Sequence, residues 1–414
     1  MDMDRREFLR NAAIFAAGLP LAGKALANGE TPPPASAPRL PLLPHVQLLS
    51  STSMGIVWRS NFPATGRVEW TQDDWQTCNT AWTEEDGLLD ANGTFHRAIL
   101  EGIDPARPLK WRVRSLHITN FQPYHVDFGE AEDVQEGELN AILPADGTVS
   151  WAMFNDVHQN LAVYDHLVPH LAGINTFCVF NGDIVNHVDD AALVEKYLLA
   201  PLSRVSLEAR LPVWYLRGNH ETRGAYARNL RDHLSLKEGH FYGAATLGNV
   251  RFVFLDTGED KTDRNKEYSG LVAFDRYLER QRAWLAAEVA SPEWRNARAR
   301  IVTAHIPAPT TIAHLEHGKY EWKPGLPRLD ALFATLAEAN VTLFLGAHLH
   351  NWNWHAPIPQ RPYPMLVGGG PELANPNPHK NATLAKCTLS PANILSVNLL
   401  SAAGEVLVSE EIHC

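Results

Sequence analysis

Five apolar runs of strand length each finish in Asp, Asn or His, and no other feature limits the possible folds so strongly. Trp151-Ala152-Met153-Phe154 leads into Asn155-Asp156-Val157-His158, and Phe177-Cys178-Val179-Phe180 leads into Asn181-Gly182-Asp183. Val213 to Leu216 leads into Gly218-Asn219-His220, Ile301-Val302 leads to His305, and Val341 to Leu345 leads into Gly346-Ala347-His348-Leu349-His350. Helix-length segments lie between these runs. Leu329, Leu332, Phe333 and Leu336 recur at i, i+3, i+4 and i+7, and Tyr277 with Trp284 and Leu278 with Leu285 and Val289 mark a second stripe. This alternation, from about residue 140 onward, predicts a layered α/β domain. Open α/β sheets place their sites at the carboxyl ends of strands, so all five tips are free to converge on one rim.

The spacing inside the tips points the same way. Asp156 and His158 are two residues apart, as are His348 and His350, and in extended chain such residues face one side. One strand-end histidine is ordinary; five polar tips in series predict a metal site. Imidazole and carboxylate suit Fe, Mn and Zn, and two such ions about 3.5–4 Å apart can clamp both oxygens of an in-line displacement.

The motifs D-x-H, G-D, G-N-H-E, V-x-x-H and H-x-H, running in this order from Asp156 to His350, resemble the calcineurin-like metallophosphoesterase superfamily, which includes purple acid phosphatases. Arg251 to Thr257 and Gln281 to Leu285 are similar to inner strands and helices of that family. Upstream, "MGIVWRSNFPATGRVEW" and "FHRAILEGIDPARPLKWRVRS" resemble the fibronectin type III-like domain that precedes the catalytic domain in purple acid phosphatases. The resemblance implies an α/β (α+β) four-layer β-sandwich flanked by helices over 140–414, preceded by a small all-β fibronectin type III-like sandwich over 45–130. The upstream strands are expected at 45–49, 55–58, 66–70, 94–100 and 109–116, separated by turns such as Asn61-Phe62-Pro63.

Carried over by position, the likeness implies two divalent or trivalent metal ions (Fe, Mn or Zn) bridged by Asp183. Asp156, His158 and His350 complete one site; Asn219, His305 and His348 complete the other. Asn219 then supplies an oxygen without cancelling metal charge. His220, beside the ligands but not among them, is placed to protonate a leaving group or hold phosphate; a hydrogen bond to a backbone carbonyl is its plainer use. Two departures stand out. Asn186 occupies the position where purple acid phosphatases carry a tyrosine, and His158 is a residue they lack, so a colourless enzyme is expected. The final motif reads G-A-H-x-H where G-H-x-H is common.

The resemblance implies a metallophosphoesterase, a phosphoric ester hydrolase, acting on small phosphomonoesters. Phosphodiesters or nucleotides are the alternative on the same site, and an inactive surface binding module is the alternative of another class. None of the seven ligands is missing, which argues against a degenerate module, and no helix carries H-E-x-x-H as a metallopeptidase would. His187 and Arg223, close in sequence to ligands, are candidates for phosphate contact. The loops 258–270, 307–325 and 351–362 offer His314, His317, Tyr320, Trp352 and Trp354 as pocket walls. Val367-Gly368-Gly369-Gly370-Pro371 lacks a following Gly-Lys-Ser/Thr, so close backbone packing is expected there and not a phosphate loop.

The N-terminus carries a separate signal. Arg5-Arg6, an apolar stretch from Ala12 to Leu19 and Ala25-Leu26-Ala27 resemble a twin-arginine (Tat) signal over 1–27, followed by a Pro/Ala-rich linker over 28–44. The apolar stretch is too short to span a bilayer, which needs about 20 residues, so no stable membrane anchor is expected. The signal implies partnership with the Tat export machinery and a periplasmic or extracellular home. Removing it takes the formal net charge from −11 to −12, which excludes long nucleic acid as the main partner. Four scattered cysteines without C-x-x-C spacing form neither a disulfide framework nor a zinc ribbon; only a Cys387–Cys414 bond stays open.

Overall fold

The computed structural model describes residues 41–308, 311–314, 320–323 and 326–414, with backbone alone for 311–314 and 320–323. The signal reading over 1–27 and most of the 28–44 linker lie outside the described residues.

Period-two burial builds the molecule. In the strand Val149–Phe154, Trp151 and Met153 enter a central core while Ala152 and Phe154 enter an outer one. The strands Phe177–Asn181 and Val213–Leu216 repeat the pattern: Phe177, Val179, Trp214 and Leu216 point inward, and Cys178, Phe180, Val213 and Tyr215 point outward. On the opposite sheet, Phe252, Phe254, Ile301, Leu343 and Leu345 face the same central core, whereas Val253, Leu255, Val302, Ala304 and Phe344 face a third. Strands apolar on both faces must be covered on both faces. The two sheets therefore pack on each other through Trp214 and Phe254, stacked with ring centroids 3.9 Å apart, and through Trp151 edge-on to Phe252 at 4.9 Å.

Helices close the outer faces. The helix Phe274–Val289 buries Leu278 and Leu285, and Pro327–Ala334 buries Leu329, Leu332 and Phe333, with Leu336 buried just past its end. The order is helices, sheet, sheet, helices, the four-layer arrangement the motifs implied. Strands Val149–Phe154, Phe177–Asn181 and Val213–Leu216 are parallel, as are Val250–Leu255, Ala299–Ala304, Leu343–Gly346 and Met365–Val367. Within each sheet the carboxyl ends thus share one edge.

The N-terminal strands differ from expectation, which did not include Asn79–Ala81 or His125–Leu139. The segments expected at 55–58 and 66–70 are one strand, Ser53–Thr71, running through Asn61-Phe62-Pro63. Its first half lies between His45–Leu48 and Gly93–Glu101, its second between Asn79–Ala81 and Leu109–Gln122, with a register shift between Arg59 and Ala64. At the shift the backbone finds side-chain partners: Asn61 N donates to Asp133 Oδ2 at 2.7 Å, and Ser60 Oγ donates to Phe62 O at 2.6 Å. A proline at such an irregularity costs no ladder bond, so the sequence turns no corner there. Strand His45–Leu48 also pairs in parallel with Val213–Leu216, so the first sheet runs without a break across residue 140.

Candidate metal centre

The tips at the ends of the parallel strands are tied to each other before any side chain is considered. Asp156 N donates to Gly182 O at 3.0 Å, His158 N to Asp183 O at 2.9 Å, and Ala347 N to His305 O at 2.9 Å. The chain bends sharply to do this. Asp156, His158, Asp183, His348 and His350 all adopt left-handed φ, at 49°, 48°, 52°, 71° and 48°. Each such non-glycine residue costs about 1–3 kcal/mol, and such clustering is characteristic of functional sites. The motif glycines have a steric reason: a Cβ on Gly218 would overlap the Asp183 carboxylate, and one on Gly182 would strike the Gly218 backbone.

The bends bring the side chains together in two overlapping groups. The ligand atoms of Asp156, His158, Asp183 and His350 lie within 4.8 Å of one another, and so do those of Asp183, His305 and His348. Asp183 belongs to both. Its Oδ2 is 3.2 Å from His305 Nε2 and 3.6 Å from His158 Nε2, while Asp156 Oδ1 is 3.4 Å from His350 Nε2. Asn219 joins the second group, its Oδ1 2.9 Å from His348 Nδ1. All seven residues expected from the strand tips are therefore in one place.

Further bonds orient these groups. His305 Nδ1 donates to Asn181 O at 2.8 Å, which turns Nε2 inward. Asp156 Oδ2 accepts from His348 N and Asn155 Nδ2, both at 2.8 Å, leaving Oδ1 for the centre. Asp156 Oδ1 and His305 Nε2 are buried and lack a hydrogen-bond partner among the described residues. The two atoms lie 4.0 Å apart, and buried polar atoms left so are what a bound cation would satisfy.

Electrostatics agree. Burial alone would lower the His305 imidazole, yet the Asp183 and Asp156 carboxylates push it up to about 10. Burial would raise both carboxyls, but the surrounding histidines hold them below the ordinary range, Asp183 far below. A site that forces a proton onto a buried imidazole is a strong trap for positive charge. The donor set of imidazole nitrogens, carboxylate and amide oxygens fits Fe, Mn or Zn.

His220 makes the plainer of its two expected contacts, the bond to a backbone carbonyl, and stands beside the ligands. Its Nδ1 donates to Asn186 O at 2.7 Å, and its Nε2 stands 3.9 Å from Asp183 Oδ2. Arg223 lies beside it, Nη1 3.4 Å from His220 Nε2. His187 is turned to Asp189, Nδ1 to Oδ2 2.7 Å, and stands outside both ligand groups. Trp352 stacks on His379 with centroids 4.0 Å apart, two residues past His350. His317 and the side chains of His314 and Tyr320 lie outside the described residues. Gly368 to Gly370 pack against Asn155, Asn381 and His350, where any Cβ would overlap or crowd its neighbour, so close packing is their role. All four cysteines are free thiols.

The structure adds residues that sequence reasoning did not assign. Asn186 Oδ1 accepts from His158 Nδ1 at 2.9 Å, so the residue in the tyrosine position orients two histidines, one by its side chain and one by its main chain. Glu221 is buried and accepts from Asp183 N at 2.9 Å, Gly218 N at 2.7 Å, Ile184 N at 2.7 Å and Val185 N at 3.2 Å, clamping two tips together. The G-N-H-E motif contains Glu221, but only the fold reveals the four amides that it faces.

Carboxylates and imidazoles gathered at the carboxyl edge of a layered α/β sheet form a cluster able to hold metal ions. Residues 152–352 match the family model described as calcineurin-like phosphoesterase, so the chain carries that domain and is a metallophosphoesterase, a hydrolase of phosphoric esters. Among the solved structures that share the fold are two that match most of the chain. Purple acid phosphatase PPD1 from yellow lupin (Lupinus luteus) seeds is 15% identical, with 91% of this chain and 75% of that chain covered at a TM-score of 0.66. PhoD is 12% identical, with 91% and 90% covered at 0.60. No curated protein sequence matches the chain.

Proposed function

We propose that the protein is a dinuclear metal-dependent phosphoesterase that hydrolyses small phosphomonoesters. The observation that carries this reading is the overlap of the two ligand groups on the shared carboxylate of Asp183. Asp156, His158 and His350 would hold one ion with it; Asn219, His305 and His348 would hold the other. When bound, two such ions supply Lewis-acid charge that acidifies a water and neutralises charge developing on phosphorus. His220, fixed through Nδ1 by Asn186 O, presents Nε2 to the phosphoryl group and hands a proton to the departing alkoxide. Arg223 and His187 contact the phosphate or its leaving group. Asn186 leaves no phenolate for a ferric ion, which supports a colourless enzyme.

The export reading belongs to the same proposal. A Tat signal over 1–27 would carry the folded protein to the periplasm or beyond, with the fibronectin type III-like segment 45–130 attached. No helix among the described residues is long and apolar enough to cross a membrane.

Elemental analysis of purified protein, paired with p-nitrophenyl phosphate and bis-p-nitrophenyl phosphate assays, tests this function. Bound transition metal with turnover of the monoester supports it; cleavage of the diester alone turns the reading to a phosphodiesterase. His220→Ala is expected to keep its metal and lose about 10²–10⁴-fold in kcat.

A further inference from the structure

Arg223 stands beside the ligand rim with its guanidinium gripped from behind. Nε (3.0 Å) and Nη2 (2.9 Å) engage both oxygens of Glu259 as a two-pronged pair, and Nη2 also reaches Asp260 Oδ1 at 3.3 Å. Glu259 is fully buried and accepts two more bonds, from Thr222 Oγ1 at 2.6 Å and Tyr268 Oη at 2.7 Å. A buried carboxylate with these donors is a fixed anchor, and the planar fork of arginine passes that fixity to the whole guanidinium. The anchor engages the hydrogens of Nε and Nη2, which leaves the two on Nη1 for the rim. Nη1 is 3.4 Å from His220 Nε2, itself 3.9 Å from Asp183 Oδ2. Side-chain exposures of 27% for Arg223 and 29% for His220 leave the pair within reach of a substrate. The neighbouring cation, Lys261, is taken up by Asp260 at 3.0 Å and Glu267 at 3.4 Å.

We propose that Arg223, oriented by Glu259, recognises the third unesterified oxygen of a phosphomonoester and thereby sets a preference for monoesters over diesters. The inference rests on the phosphoesterase reading above. A monoester presents a dianion with three non-bridging oxygens. A diester presents a monoanion with two, and its remaining oxygen carries carbon. An Nη1 group held in a fixed direction, with one hydrogen toward His220 and the other toward the rim, rewards an anionic oxygen and loses that bond against an ester group. Sites built around a hydrogen-bonding partner reject the analogue lacking it more strongly than apolar pockets reject a missing methylene. Lysine would keep the charge but could not take both oxygens of Glu259, so its direction would be lost.

The test uses the full-length, metal-loaded protein with p-nitrophenyl phosphate and bis-p-nitrophenyl phosphate. Equilibrium binding of inorganic phosphate and of dimethyl phosphate gives a readout independent of turnover. Arg223→Ala is expected to lower kcat/KM for the monoester about 10²-fold and for the diester less than about threefold, with metal content unchanged. Affinity for inorganic phosphate should fall with the monoester rate while that for dimethyl phosphate holds. Arg223→Lys should recover part of the phosphate affinity without restoring the monoester-to-diester ratio. Glu259→Gln should move that ratio in the same direction by about tenfold, chiefly through KM. Equal losses on both esters in Arg223→Ala overturn the inference and leave the phosphoesterase reading standing. So does an unchanged ratio in a Glu259→Gln protein that unfolds at the wild-type temperature. Metal-loaded wild-type protein that cleaves neither ester overturns both.

Discussion

Two fully buried imidazoles in different regions of this molecule, His305 and His45, behave in opposite ways. At the strand tips, His305 is fully buried and yet held protonated to about pH 10 by Asp183 and Asp156. At the junction of the N-terminal strands with the first sheet, His45 is as fully buried and is pushed down to about 4 by that burial, with the His233 ring adding to the effect. His45 Nε2 and His233 Nδ1 find no hydrogen-bond partner among the described residues, and the carboxylate acting on His233 is the exposed Asp232. His233 Nε2 is instead 2.9 Å from Tyr226 Oη, with Phe95 edge-on to the ring at 4.2 Å. Burial is thus common to both regions and decides nothing by itself. Two anionic oxygens within reach outweigh burial for His305, although burial and the charged His305 still push the neighbouring His348 down to about 4; without such oxygens the His45 ring is a neutral filler that resists protonation.

The sharpest way to break the contrast is to remove the shared anion. Asp183→Asn in the metal-loaded protein is expected to empty both ligand groups and lower kcat/KM by about 10³-fold or more. Elemental analysis together with the monoester assay checks it, and a variant that keeps two ions and full rate would end the account of Asp183 as a bridge.

Next in size is His305→Ala in metal-free protein. Its ring carries the positive charge that faces two buried carboxylates and is the largest stabilising partner of Asp183, so its loss should cost about 3 kcal/mol in denaturant unfolding. His350→Ala, whose side chain is 38% exposed, should cost well under half of that. Equal losses would mean that burial beside the carboxylates is not what distinguishes the two rings.

The junction makes the complementary prediction about pH. His45 has a folded pKa of about 4, depressed from 6.5, so the neutral ring contributes stability above pH 6.5 that is lost as pH falls toward 4. Between pH 7 and pH 5 the loss should be about 2 kcal/mol. His45→Gln, with no proton to gain, should flatten the stability profile over that window. A profile of equal slope in both proteins would show that His45 is not the group responsible.

Much of the site was legible because strand patterning and ligand chemistry coincide. Trp151 to Phe154 and Val341 to Leu345 announce buried strands by composition, and the residues at the end of each such run must sit at a sheet edge whatever else the chain does. The helix stripe of Leu329, Leu332, Phe333 and Leu336 was readable for a similar local reason. The features that escaped depend on pairs far apart in the chain. The anchoring of Arg223 by Glu259, the four amides gathered by Glu221 and the two histidines held by Asn186 arise only when loops from separate strands meet. Asn61-Phe62-Pro63 reads locally as a turn, and the remote Asp133 carboxylate is what lets the strand continue through it.

Asn186 offers the finest test of how the rim orders its rings. Its Oδ1 fixes His158 with Nδ1 protonated and Nε2 inward, while its main-chain oxygen does the same for His220. Substitution touches only the first of these bonds. Asn186→Ala should therefore weaken metal binding at the group of Asp156, His158 and His350 by about tenfold, the lower end for loss of a ligand's outer hydrogen bond. At saturating metal, kcat should stay within about twofold, because His220 keeps its carbonyl partner. Asn186→Asp retains an acceptor for Nδ1 and should hold metal at least as tightly as the wild type. A metal titration monitored by calorimetry separates these outcomes. If alanine binds metal with wild-type affinity, His158 is held by packing against its neighbours and not by the amide. If alanine instead loses kcat at saturating metal, the main-chain and side-chain roles of Asn186 are not independent.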